Sequence, residues 1–223
     1  MKVSGMFALA ACILMAGCSG GKIQSPELSV ARSGVVFLGD SIFSRWDLNS
    51  YFPGKGYVDG GIEGQNTSQI LARVPDAISG ASVCTGIVGS LKCQTIAPPG
   101  TIVIFAGWNN LFQGTDPQKA INDIASMVNL CLSSRVRPIV VTVYHFDPAY
   151  TGGSQFNAPA DAISQGIREL GANNAISVID LEQLFVNQSG YTADGVHPIA
   201  GGYSQMQSAF APVVHGPAQS ELP

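Results

Sequence analysis

The chain has 223 residues, with 11 Lys or Arg against 15 Asp or Glu, for a formal charge of −4 at neutral pH. Such a sparse, mildly acidic charge set with no basic block excludes nucleic acid as an expected partner. Hydrophobic residues make up 46% of the chain, enough at this length to bury one core without staples.

The N-terminus reads as an address. Lys2 gives a basic start and Met6 to Ala16 is mostly apolar. That run is too short for a membrane span, which takes roughly 20 residues, but it suits the apolar core of a signal peptide. Leu14-Met15-Ala16-Gly17-Cys18 resembles a bacterial lipobox, with Met15 where Leu is usual. The resemblance implies lipidation of Cys18 and a lipid-anchored place in the bacterial cell envelope, attached to the membrane through the N-terminus. Ser19, rather than Asp, after the cysteine leans towards the outer membrane or periplasmic side. An ordinary secretory signal with an incidental cysteine is the alternative. Residues 1–17 are therefore expected to be a signal peptide, 18–32 a flexible tether, 33–212 one domain and 213–223 a disordered tail.

Four apolar runs without alternation follow: Val35 to Leu38, Ile102 to Phe105, Pro138 to Val143 and Ser177 to Ile179. Bounded by turn residues, they suit strands covered on both faces. Tyr57-Val58 is expected to add one short strand. Between them, Thr67 to Ser79 puts Ile70, Leu71, Val74, Ala77 and Ile78 on one helical face. Asp116-Pro117 supplies an N-cap and a first-turn proline. Asn157 to Leu170 carries Ile163, Ile167 and Leu170 at helical spacing and is expected to stop at Gly171. A last helix should run from near Pro198 to about Ala211. Strands alternating with helices imply right-handed crossovers and an α/β fold. The expected form is a three-layer α/β/α sandwich with a doubly wound, flavodoxin-like parallel sheet of about five strands.

Cysteine usage agrees with export. Cys84 and Cys93 flank a loop bearing Gly and Ser, which an oxidising compartment is expected to close as a disulfide. Cys131 lies on the stripe Ile121, Ile124, Val128, Leu132 and reads as a buried free thiol, with other pairings left open. Because the Cys84–Cys93 loop precedes a strand, it should lie at the end of the sheet remote from Ser41. No Cys/His spacing suggests a metal, and no metal or organic cofactor is expected.

In open α/β sheets ligands bind beyond the carboxyl ends of the strands. The residues there are Gly39-Asp40-Ser41, Gly60-Gly61, Gly107-Trp108-Asn109-Asn110 and Tyr144-His145. A serine hydroxyl needs a nearby base and donors for the oxyanion it creates. Ser41 follows a strand and opens a helix, where unpaired N–H groups favour negative charge. Gly-Asp-Ser is also ordinary turn chemistry. The second piece is Asp194-Gly195-Val196-His197-Pro198. Pro198 disfavours helix at His197, and across the glycine turn the Asp194 carboxylate can fold back onto the imidazole. A capped helix start with a satisfied surface histidine is the bland alternative.

Together these blocks resemble the SGNH/GDSL hydrolase family, in order and over most of the chain after Cys18: Gly39-Asp40-Ser41-Ile42, Gly60-Gly61-Ile62-Glu63-Gly64-Gln65, Gly107-Trp108-Asn109-Asn110 and Asp194 to Pro198. The resemblance implies Ser41 as nucleophile, His197 as base and Asp194 as its partner. It implies an oxyanion hole from the backbone N–H groups of Ser41 and Gly61 and the Asn109 amide. Asn110 stands where the family commonly has Asp, and a change in local hydrogen bonding is expected there. Asp40 reads as structural. Trp46 and Trp108 read as core or rim aromatics, His145 as a satisfied histidine, and His215 as chemically idle. The stretch from Asp147 to Pro159 is expected to open on the catalytic side.

The implied activity is serine esterase chemistry on small acyl esters, acetyl above all, carried by a small-molecule or envelope or extracellular glycan substrate. No protein partner is implied. A lipase, thioesterase or lysophospholipase with the same residues is one alternative, and a non-catalytic envelope-binding lipoprotein another.

Overall fold

A computed structural model describes residues 32–216. The proposed signal peptide, the lipidation site Cys18 and residues 217–223 lie outside the described residues. The central sheet has five strands: β1 (Val35–Gly39), β2 (Val58–Gly61), β5 (Thr101–Ile104), β6 (Arg137–Val141) and β7 (Ser177–Ile179). Their spatial order is β2-β1-β5-β6-β7, every pair parallel. This is the doubly wound α/β/α arrangement expected from the uninterrupted apolar runs. Val36 to Leu38, Ile102 to Ile104 and Ile139 to Val141 are all buried, as strands sandwiched between helical layers must be.

The first strand's neighbours lie on opposite sides of it, β2 on one and β5 on the other. Chain segments leaving β1 and β5 therefore diverge and open a crevice above their carboxyl ends. Helix α1 (Ser41–Ser44) leaves β1, and α5 (Trp108–Phe112) leaves β5. On one face of the sheet the last helix, α9 (Ala200–Val214), stacks Phe210 on Phe37 of β1 and Tyr203 on Trp46, and Tyr51 of α2 (Leu48–Tyr51) lies tilted against Tyr203. On the other face lie α6 (Pro117–Ser133) and α7 (Asn157–Asn174), in contact with each other. Asp116 caps α6 through its side chain, with Pro117 in the first turn.

Three helix boundaries differ from expectation. The Thr67 to Ser79 segment breaks into α3 (Thr67–Leu71) and α4 (Val74–Ser79), because Pro75 has no N–H to continue the ladder. Helix α7 runs through Gly171 and ends at Ala175 in the left-handed region. Gly171 serves packing instead: a Cβ there would lie 2.3 Å from Val178 Cγ2 of β7. Helix α9 carries on through Pro212 to Val214. Val214 is buried, so the expected tail from 213 begins inside the core.

Cys84 and Cys93 are disulfide-bonded and Cys131 is a buried free thiol, its pKa pushed up to about 12 by burial. The expected position of the disulfide loop needs correcting. The segment forms a hairpin, β3 (Val83–Ile87) and β4 (Ser90–Gln94), in which Cys84 faces Cys93. Strand β3 climbs beside β2: Gly86 bridges Ile62, and the Glu63 N–H donates to the Gly86 carbonyl at 2.9 Å. The hairpin tip thus reaches the same rim as Ser41, because the residues before β5 build strands of their own that rise and return. Helix α8 (Leu181–Phe185) completes the order, and no described helix is long and apolar enough to cross a membrane.

Candidate active site

Asp40 ends β1 and caps α1. Its Oδ1 accepts the Ile42 N–H at 3.0 Å, which sets Ser41 at the first helical position. The carboxyl is fully buried. Burial pushes its pKa up to about 7, against the pull of the Ile42 N–H and the Arg73 guanidinium. Asp40 is thus a structural group under the turn, as its place in the motif suggested.

His197 arrives from the opposite end of the chain. The loop before α9 doubles back, with Thr192 bridging Pro198 and the Ala193 N–H donating to the His197 carbonyl at 2.8 Å. Asp194 Oδ1 accepts the backbone N–H groups of Val196 and His197, and its Oδ2 lies 2.7 Å from His197 Nδ1. Burial raises the Asp194 pKa, but these hydrogen bonds outweigh it and hold the carboxyl below its usual range. An ionised carboxylate can only accept, so Nδ1 carries the ring proton and Nε2 is left as the acceptor. Nε2 lies 2.9 Å from Ser41 Oγ. The hydroxyl therefore donates to the imidazole, the geometry of a nucleophile poised beside its base.

Two residues to which the sequence assigns no individual role fix that loop. Tyr144, fully buried, donates its hydroxyl to the Val196 carbonyl. Asp147 accepts from the Thr192 N–H and hydroxyl and from the Gly190 N–H. Asp147 opens the Asp147 to Pro159 stretch, so this segment does reach the catalytic side, where it braces the histidine loop.

A third missed residue, Arg73, joins the strand ends beneath the site. It donates to the carbonyls of Gly39 at 2.9 Å and Gly60 at 2.8 Å, and to Gln65 Oε1. Desolvation lowers its pKa to about 10, and the neighbouring Asp59 and Asp40 oppose that shift. An arginine in the middle of a helical stripe gives no hint from sequence that its side chain turns under the sheet.

The donors differ from expectation at one place. The Gly61 N–H already donates to Asp59 Oδ1 at 2.8 Å. Gly61 is packed under α1, where a Cβ would lie 2.3 Å from the Ser44 nitrogen. Its N–H is therefore committed inside the fold. Three residues on, Gly64 has φ +77° with open space around its Cα, and its N–H donates to no described group. The Ser41 N–H is likewise unpaired. Asn109 Nδ2 donates to the Gln65 carbonyl at 3.0 Å and makes a long contact of 3.4 Å with Asp40 Oδ2. Asn110 pairs with Thr67 twice, accepting from its N–H and donating to its hydroxyl, each at 2.9 Å. That second bond needs an amide, since a carboxylate in its place could not donate.

Trp46 and Trp108 are both core residues. His145 pairs with Asp161, and His215 caps α9 with its ring near Tyr57. His145, Asp161 and Glu182 are the one group of potential metal ligands among the described residues. Glu182 is ion-paired with Arg168, and His145 is hydrogen-bonded to Asp161.

Residues 37–205 are similar to the GDSL-like lipase/acylhydrolase family. No curated protein matches the chain in sequence. Among solved structures, a GDSL-like lipase from Bacteroides thetaiotaomicron superposes with a TM-score of 0.68 at 24% identity, covering 82% of this chain and 87% of that one. An acetyl xylan esterase, AlAXEase, gives 0.65 at 18%, covering 81% and 99%. TesA gives 0.61 at 18%, covering 82% and 98%. At these identities the structural likeness establishes the fold.

Proposed function

Because this chain belongs to the GDSL-like lipase/acylhydrolase family and is a serine ester hydrolase, we propose that it removes short acyl groups, acetyl above all, from carbohydrate in the cell envelope or outside the cell. The observation that carries the catalytic assignment is the hydrogen-bonded chain from Ser41 Oγ to His197 Nε2 and from Nδ1 to Asp194. His197 takes the Ser41 proton as Oγ attacks the ester carbonyl, and Asp194 stabilises the imidazolium that forms. The oxyanion is met by the Ser41 and Gly64 N–H groups and by the Asn109 amide, whose long contact with Asp40 gives way to the stronger acceptor. The imidazolium then protonates the leaving alcohol, and water, deprotonated by the same ring, releases the acid from the acyl-enzyme.

The rim favours a hydrophilic ester. Arg45 follows α1 and forms a two-pronged ion pair with Glu63, at 3.1 and 2.8 Å, and Asp194 is half exposed beside them. Charged walls of this kind suit a polyhydroxy alcohol better than a lipid tail. The acetyl xylan esterase of the same fold supports the same direction. Lipid attachment at Cys18 and an envelope location belong to this reading, supported by the pattern from Lys2 to Ser19.

A series of p-nitrophenyl esters from acetyl to dodecanoyl, with Ser41→Ala as control, tests the acyl preference. Rates highest for acetyl and falling with chain length are expected. A maximum at long chains would favour the lipase or thioesterase reading.

A further inference from the structure

A cleft of about 470 Å³ lies beside β2, between the α1–α2 segment and the hairpin. Arg45, Asp47 and Asn49 line one wall. Ser90, Lys92 and Gln94 line the other. Cross-strand pairing of Ile87 with Ser90, Thr85 with Lys92 and Val83 with Gln94 puts those three on one face of the hairpin. The cleft reaches Ser44, one helical turn beyond Ser41, and Arg45, whose ion pair with Glu63 stands at the catalytic rim.

The chemistry of the walls narrows the ligand. Asn49, Ser90, Lys92 and Gln94 make no side-chain hydrogen bond to any described residue. Two amides, a hydroxyl and an ammonium thus face one concave space with donors and acceptors to spare. Arg45 is already paired with Glu63, and Lys92 stands against Asp47 and Asp59, so the walls do not select a strongly anionic ligand such as a phosphate. The apolar members of the lining are Trp46, Leu48 and Tyr57, and the first two are buried, which leaves an acyl chain little to lie on. Sugar hydroxyls, which both donate and accept, match this mixture. The disulfide between β3 and β4 holds the second wall in place before any ligand arrives, which lowers the ordering cost of binding.

We infer that this cleft is a binding site for a neutral oligosaccharide, taking the sugar units that flank the esterified one while Ser41 attacks the ester. The inference rests on the carbohydrate-ester reading above, and it adds a site built by the hairpin. Weak, millimolar-range binding is expected of a polar, solvent-open cleft.

The test separates binding from turnover. Binding of neutral oligosaccharides, xylohexaose, cellohexaose and hexa-N-acetylchitohexaose among them, is measured by calorimetry on the Ser41→Ala protein. It is then repeated after adding Asn49→Ala, Lys92→Ala and Gln94→Ala. At least one oligosaccharide should bind, with affinity falling about tenfold or more in the cleft variant. On an active Ser41 background the same three substitutions should leave p-nitrophenyl acetate hydrolysis within about twofold of wild type. No binding to any oligosaccharide, or equal binding with and without the three side chains, overturns the site. Binding that depends on the cleft, with no release of acetate from acetylated forms of the bound sugar, would keep the site and sink the carbohydrate-ester reading instead.

Discussion

His197 Nε2 lies 2.9 Å from Ser41 Oγ although 156 residues separate them. One group comes from the turn after the first strand and the other from the loop before the last helix. The doubly wound sheet brings both to the same crevice, because α9 packs on the face that α1 and α2 occupy. Tyr203 of α9 ties the two together by donating to the Ile42 carbonyl at 2.9 Å.

Asp194 holds the imidazole by its Nδ1 proton. Asp194→Asn should present an amide to that position, allow the wrong tautomer and leave the imidazolium without its partner. Turnover is expected to fall about 10²–10⁴-fold with KM little changed. Steady-state kinetics on p-nitrophenyl acetate, together with an unchanged thermal midpoint, check this. A loss of less than threefold would mean that the carboxylate only shapes the loop.

Asn109 and Gly61 should behave oppositely. Asn109→Ala removes an oxyanion donor and is expected to cost about 10²–10³ in kcat with little loss of stability. Gly61→Ala would push a methyl group to 2.3 Å from the Ser44 nitrogen. It should therefore destabilise the fold by about 1–3 kcal/mol. Denaturant melts beside kinetics distinguish the two, and a Gly61→Ala protein as stable as wild type would show that Gly61 is not packed against α1.

Asp59 accepts from the Gly61 N–H and the Thr85 hydroxyl in a largely buried place. Burial raises its pKa from 3.8 to about 6, although both hydrogen bonds and Arg73 pull it down. A carboxyl raised by folding contributes stability that is complete below its unfolded pKa and is lost as pH rises through the folded one. Wild type should therefore lose on the order of 1–2 kcal/mol from this group between about pH 4 and pH 6, after allowance for partial solvent access. Asp40, raised to about 7, acts in the same direction. Asp59→Asn keeps the Gly61 acceptor and should flatten the lower part of that slope in urea melts. An unchanged slope would assign the titration elsewhere.

The Cys84–Cys93 disulfide closes a short segment, 9 residues in sequence separation. Cys84→Ser with Cys93→Ser should cost the hairpin at most about 2–3 kcal/mol. Because β3 and β4 pair with each other outside the five-stranded sheet, the loss should be local. Hydrogen exchange is expected to speed up across Val83–Gln94 while β1 and β5 stay protected. Uniform loss of protection would show that the hairpin is part of the global folding unit.

The central layer was legible because buried parallel strands must be apolar on both faces, and the runs at Val35, Ile102, Pro138 and Ser177 are. The order of short motifs puts Ser41 and Asn109 at strand ends and Asp194 and His197 in the turn before the last helix, and the fold brings the four to one crevice. What escaped was set by tertiary packing. Gly171 looked like a helix stop, but it is small for the sake of Val178. Pro75 divides a stripe whose apolar spacing is continuous. Gly61 and Gly64 are indistinguishable as glycines in a turn, and only the Asp59 carboxylate shows which N–H is already taken. The hairpin's place is not legible because a segment before a strand can build strands of its own that rise to the far end of the sheet.

The assignment of Ser41 is tested most directly by comparing p-nitrophenyl acetate hydrolysis by wild type and Ser41→Ala at matched folded concentration. Loss of the nucleophile should lower kcat/KM by at least about 10³-fold while leaving the melting temperature close to wild type. Equal rates for the two proteins would contradict the mechanism, whatever the fold they share.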